Sequence, residues 1–266
     1  MLDVIFGEAT DPGKIRTNNE DSIGSFVPQS RQMARSHGWM FVLADGVGGS
    51  DFGEVASATA VAEVLKGFGE AQDGSSLAAL MPRLVQHANA EIHNATLTTE
   101  RRGSRMASTI VCCALRHDQA VVSHVGDSRC YHIRHGEATP ITRDHTWVNE
   151  QRKLGLISAA EAEESDARHI LIRSLGPELF VHADTTTIRI EAGDHLVLCS
   201  DGLYGALRKD EIAELVTSAE DVQEAAQKLV ASAVEVDGSD NTTIQVIRIR
   251  SVERVAMYRG QVYRLP

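Results

Sequence analysis

The sequence predicts an α+β domain, on three observations. Apolar runs of strand length recur along it, and several stop at an aspartate beside a turn residue, as in Trp39-Met40-Phe41-Val42-Leu43-Ala44-Asp45-Gly46. Other stretches, at 51–67, 76–97, 209–218 and 219–235, carry apolar residues at helical spacing suited to packing on a sheet. Length agrees: 266 residues with 42% hydrophobic content can bury a sizeable core, as one large domain rather than two small ones.

Taken in order, residues 2–10 make a first strand and Thr10-Asp11-Pro12-Gly13 a turn. The segment Lys14-Ile15-Arg16-Thr17-Asn18-Asn19-Glu20-Asp21-Ser22 is too polar for an element interior. It is expected as a loop, with an arginine near one end and two adjacent acids near the other. The run 39–44 then displays Asp45 at a strand end, where Gly46, Gly48 and Gly49 let the backbone turn sharply and approach something closely. The helix 51–67 opens on an acid that complements its dipole, and with 76–97 it covers a sheet. A basic loop at 101–105 leads into a strand at 106–115, and a hairpin at His117-Asp118 leads to the next.

That next strand ends in Val125-Gly126-Asp127 and repeats the Asp45 pattern. His195-Leu196-Val197-Leu198-Cys199-Ser200-Asp201-Gly202 is a third instance, and Ser239-Asp240-Asn241 a fourth, here preceding its strand. Residues 142–176, with short amphipathic stretches at 147–154 and 159–165, read as an inserted flap. The end, 251–266, sets Arg254, Arg259 and Arg264 against Glu253 and reads as an extra strand or an arm docked on its own acidic domain.

A formal net charge of −11 with no basic face argues against nucleic acid as a partner and fits a chain that collects cations. No apolar run approaches the ~18 residues of a membrane span, and the first residues carry acid where a secretory signal carries base, so a cytoplasmic protein is expected. Cys112, Cys113, Cys130 and Cys199 lie in apolar runs without Cys-x-x-Cys spacing and are expected as buried thiols. The eleven histidines show no ligand spacing and read as surface or satisfied interior residues.

If these strands share one sandwich, Asp21, Asp45, Asp201 and Asp240 crowd together at one edge. Carboxylates tolerate that when multivalent cations supply the missing charge, and an all-oxygen set suits Mg²⁺ or Mn²⁺ over zinc or copper. Two such ions acidify a water and stabilise charge on attacking and leaving oxygens, chemistry suited to phosphate esters. Arg16, beside the acids, can clamp a phosphoryl group in a bidentate fork.

The ordered segments Arg16-Thr17-Asn18-Asn19-Glu20-Asp21-Ser22, Ala44-Asp45-Gly46-Val47-Gly48-Gly49, Val125-Gly126-Asp127-Ser128-Arg129, Thr142-Arg143-Asp144-His145, Arg173-Ser174-Leu175-Gly176, Ser200-Asp201-Gly202-Leu203 and Asp240-Asn241-Thr242 resemble those of the metal-dependent protein phosphatases, the protein phosphatase 2C family, in its compact bacterial form. The resemblance runs from about residue 5 to residue 249. It implies a four-layer αββα fold, a central β-sandwich of two mainly antiparallel sheets flanked by helix pairs, with one domain over 1–250. It also implies a serine/threonine phosphoprotein phosphatase that attacks phosphate monoesters in line with a metal-bridging hydroxide and reverses a bacterial serine/threonine kinase, acting as a monomer.

Two Mn²⁺ or Mg²⁺ ions, with a weaker third, are implied as cofactors. On this resemblance Asp45 bridges the two metals, the Gly46 carbonyl joins one of them, and Asp21, Asp201 and Asp240 supply further carboxylates. Glu20 acts directly or through water, Asp127 holds the third metal with Asp201, and Arg16 receives the substrate phosphate. Val47 stands where eukaryotic members carry a histidine thought to protonate the leaving oxygen, and Ala107-Ser108-Thr109 replaces a Gly-Thr-Thr pattern, a change expected to affect packing only. Two other readings compete: a phosphoprotein-binding module without catalysis, and a hydrolase of small phosphate metabolites.

Overall fold

The computed structural model describes residues 1–48, 52–97, 106–165, 167–258 and 261–264. The Gly49-Ser50-Asp51 part of the first turn, the basic loop at 101–105, Asp166 of the flap and Arg259 of the extension lie outside them. The chain runs β1 (Asp3–Asp11), β2 (Asp21–Phe26), α1 (Arg31–Ser36), β3 (Trp39–Asp45), α2 (Gly53–Gly69), α3 (Leu77–Thr96), β4 (Ile110–Arg116), β5 (Gln119–Val125), β6 (Arg129–Arg134) and β7 (Glu137–Pro140). It continues through α4 (Trp147–Lys153), α5 (Ala159–Glu164), β8 (Asp184–Arg189), β9 (His195–Cys199), α6 (Asp201–Ala206), α7 (Lys209–Ser218), α8 (Val222–Val236), β10 (Thr242–Ser251), β11 (Val255–Tyr258) and β12 (Gln261–Arg264).

Two five-stranded sheets form, in the orders β2-β3-β4-β5-β8 and β1-β10-β9-β6-β7, and every pairing within them is antiparallel. Side chains alternate across a strand, so a strand buried on both faces reads as a continuous apolar run. In β3, Met40, Val42 and Ala44 pack against α2 and α3, while Phe41 and Leu43 face the other sheet. In β9 and β10, Leu196, Leu198, Ile247 and Ile249 complete that inner layer, and Val197, Cys199, Ile244 and Val246 pack under α7 and α8. Three apolar layers thus separate four layers of elements, the expected αββα sandwich. All four cysteines are buried and unpaired.

Several elements depart from the sequence reading, each for a local reason. The polar segment 14–22 is not loop throughout: β2 begins at Asp21. Both β2 and the unforeseen β8 are edge strands, half-exposed and polar, so neither carries the apolar run that marks a central strand. The stretch 219–221 is not helical, because the Asp221 side chain caps α8 by accepting from the Glu224 N–H. Asp201 does not simply end a strand but opens α6. The chain end forms its own two-stranded hairpin, Val255 opposite Arg264, and joins neither sheet.

Candidate metal centre

Strand parity decides where the acids go. Asp45 follows Phe41 and Leu43 on the inner face of β3, and Asp21, opposite it in register, precedes Ile23 on the inner face of β2. Both carboxylates therefore stand at the end of the layer between the sheets, where apolar packing stops. The β5–β6 connection, which crosses from one sheet to the other, brings Asp127 to the same edge; the start of α6 brings Asp201, and the start of β10 brings Asp240.

A cavity of about 640 Å³ opens there, and Arg16, Glu20, Asp45, Gly46, Asp127, Asp201 and Asp240 all line it. Asp21 lies beneath. Its Oδ2 accepts from the Ser200 hydroxyl at 2.8 Å, and its buried Oδ1 has no hydrogen-bond partner among the described residues. Burial first, then the Asp201 and Asp240 charges, push the Asp21 carboxyl up to about 7. Burial and Asp201 likewise push Asp127 up to about 7, and burial with the Asp21 charge holds Asp45 well above the carboxylate range. A buried carboxylate with an unpartnered oxygen, among acids that cannot ionise comfortably together, is the donor set a divalent cation satisfies.

The centre is held by backbone contacts. The Asp45 N–H donates to Thr109 Oγ1 at 3.1 Å, while the Asp45 carbonyl accepts from the Thr109 N–H at 2.8 Å and from the Ser108 hydroxyl at 2.9 Å. Ala107 is buried filler, and the next two residues fix Asp45. Buried Asn241 accepts from the Glu20 N–H at 2.8 Å and donates to the Pro12 and Asn18 carbonyls, stapling the loop that carries Arg16 and Glu20 to the start of β10. Gly46 is required because a Cβ there would sit 2.4 Å from the Gly53 backbone. Gly126 has a φ of +99°, a conformation open to glycine and strained for other residues.

The flap contributes more than sequence reasoning gave it. Arg168, His169 and Leu171 line the cavity, and His169 Nδ1 lies 3.6 Å from Asp201 Oδ2. Asp127, His169 and Asp201 offer donor atoms all within 4.8 Å of one another, a mixed set of oxygen and nitrogen. His169 is a surface residue, as read, but its imidazole stands beside two of the foreseen acids. A single imidazole in a polar segment has no spacing that would reveal it, because its partners are 42 and 32 residues away in the chain. Arg16, the foreseen phosphate clamp, donates to Asp240 at 2.8 Å.

Comparison with known proteins places these features. The chain matches the family described as protein phosphatase 2C over residues 17–235. It is 32% identical over 240 residues to protein phosphatase PhpP of Streptococcus pneumoniae, covering 90% of this chain and 94% of that one. The serine/threonine phosphatase of S. agalactiae superposes with a TM-score of 0.83 at 30% identity, over 92% of this chain and 99% of that chain. The catalytic domain of the serine/threonine protein phosphatase PstP, solved with two manganese ions, gives 0.79 at 31% identity, over 94% and 99%.

Proposed function

Since this chain belongs to the protein phosphatase 2C family and is a serine/threonine protein phosphatase, we propose that its reaction takes place in the carboxylate cavity, with Asp21, Asp45, Asp201 and Asp240 holding two Mn²⁺ or Mg²⁺ ions. Its substrates are phosphoproteins, and we infer that they are products of a serine/threonine kinase that this enzyme opposes. A reducing compartment, the cytoplasm, suits the four buried free thiols.

Each residue has a part that its position supports. Asp45, the Gly46 carbonyl and Glu20, which line the cavity together, would hold these ions with the other three aspartates. Asp127 and Asp201, with His169 beside them, would hold a third cation. When bound, the cations supply an acidified water and the positive charge that a phosphoryl transition state needs. Arg16 receives the phosphate in its fork and orients it, and Val47 offers a hydrocarbon wall with no proton to give. The observation that carries this reading is the gathering of four strand-end carboxylates and Arg16 on one cavity, above an Asp21 oxygen left without a partner.

The test is hydrolysis of an aryl phosphate and of a phosphoserine peptide with added Mn²⁺. Both activities should vanish on chelation and return with metal. Asp45→Asn should lower kcat by about 10²-fold or more, the scale on which preorganised charge acts. Turnover that survives exhaustive chelation, or an Asp45→Asn enzyme as fast as the parent, would overturn the assignment.

A further inference from the structure

Helix α6 is a partition with a cavity on each side. Asp201, Gly202 and Gly205 face the carboxylate cavity; Tyr204 and Leu207 face a second groove of about 680 Å³ that the phosphatase reaction does not use. Its charge is opposite to that of the molecule. In a chain with formal charge −11, Arg129, Arg143, Arg152, Lys153, Arg208 and Lys209 line it against one acid, Asp144.

Part of this charge is already answered. Arg129 grips Asp144 through two hydrogen bonds of 3.0 and 2.7 Å and lies 3.4 Å over the Tyr204 ring. Arg208 reaches Asp210 and Glu211, and Lys153 lies 3.9 Å from Glu150. Among the described residues no carboxylate lies within ion-pair distance of Arg143, Arg152 or Lys209, which leaves three exposed cations around one groove. Arg152 sits in the last turn of α4, where a cation complements the helix dipole. Lys209 has no such reason: it is the first residue of α7, the end where the dipole opposes a positive charge. The groove also joins two segments far apart in sequence, 143–153 of the flap and 204–209 beside α6, so a ligand bound in it touches both.

We propose that this groove docks an anionic stretch of the phosphoprotein substrate, carboxylates or a second phosphoryl group, while the residue being dephosphorylated sits across α6. The proposal rests on the phosphatase reading and specifies its substrate class. A helix is about 10–12 Å across, and an extended peptide advances about 3.3 Å per residue. The acidic group therefore lies about three to four residues from the phosphoserine or phosphothreonine.

The experiment compares a phosphoserine peptide bearing glutamates four residues away with its glutamine counterpart, and both with an aryl phosphate. The enzymes are the wild type, Lys209→Gln, and the triple variant Arg143→Glu/Arg152→Glu/Lys209→Glu; none of these residues lines the carboxylate cavity. The wild type should prefer the acidic peptide by about tenfold in kcat/KM, chiefly through KM and less so in high salt, as charge steering dictates. The triple variant should lose that preference with aryl phosphate hydrolysis unchanged, and Lys209→Gln should lose part of it. Equal rates of the wild type on both peptides, a preference that survives the triple variant, or capture of anionic vesicles or an oligonucleotide through these cations in place of the peptide, overturns the proposal. An inert wild type on aryl phosphate would instead sink the phosphatase reading. Peptide anisotropy titrations with the same enzymes then still read the groove, where the same preference is expected and equal affinities refute it.

Discussion

Arg16 and Asp240 are paired at 2.8 Å, with 43% and 36% of their side chains exposed. An exposed pair of this kind contributes about 0.2–1 kcal/mol. On the proposed role of Arg16, exchange of this pair for a phosphoryl group would therefore cost little. Replacing Arg16 by alanine should raise KM for a phosphopeptide about 10- to 100-fold, the equivalent of one charged hydrogen bond, with a smaller fall in kcat. Steady-state kinetics check this, and a loss confined to kcat would show that Arg16 acts on the chemistry and not on capture. At this scale Asp45, Asp127, Asp201 and Asp240 were legible because each closes or opens an apolar run, which fixes its position, whereas Asp21 and Glu20 sit in a polar segment that has none. His169 was not legible, since nothing near it in the chain distinguishes it from the other ten histidines.

The flap and the turn it supports belong to the scale of elements. Thr142-Arg143-Asp144-His145 was visible as a motif, but its work was not: His145 Nδ1 accepts from the Gly126 N–H at 3.1 Å and so props the turn that presents Asp127. Its Nε2 faces Asp184 at 3.4 Å, and its ring stacks on His124, with centroids 4.7 Å apart. Burial first, then His124 and Arg173, push His145 down to about 4. The unfolded chain titrates near the ordinary histidine value of about 6.5 and binds a proton that the folded chain refuses, so stability is lost as pH falls from about 6.5 towards 4. His145→Gln should be less stable at pH 7 yet flatter across that window, a difference of at most ~2–3 kcal/mol. Urea unfolding of both proteins at pH 7 and pH 5 measures it; parallel losses would remove His145 as the cause. The edge strands β2 and β8 escaped the sequence for a related reason, because half-exposed strands need no apolar run.

At the scale of the whole molecule, the fold gathers acids that repel one another, and cations relieve the cost. Without cations, the raised carboxyls of Asp21, Asp45 and Asp127 hold protons that the unfolded chain has already released. Stability of the chelated protein should then fall as pH rises from about 4 through about 7. Metal binding needs these groups ionised, so Mn²⁺ should raise Tm more at pH 8 than at pH 6. Thermal unfolding with and without chelator at the two values decides it, and an equal or smaller gain at pH 8 would mean that these carboxyls are not the ligands. The sequence by itself determined the class of chemistry, since strand-end aspartates, turn glycines and one arginine are local choices written residue by residue. Only the tertiary structure decided which of them meet, that the flap sends His169 to Asp201, and that a cationic groove lies behind α6. Those are juxtapositions of segments distant in the chain, set by how two sheets stack and where a connection crosses between them, and no local pattern encodes them.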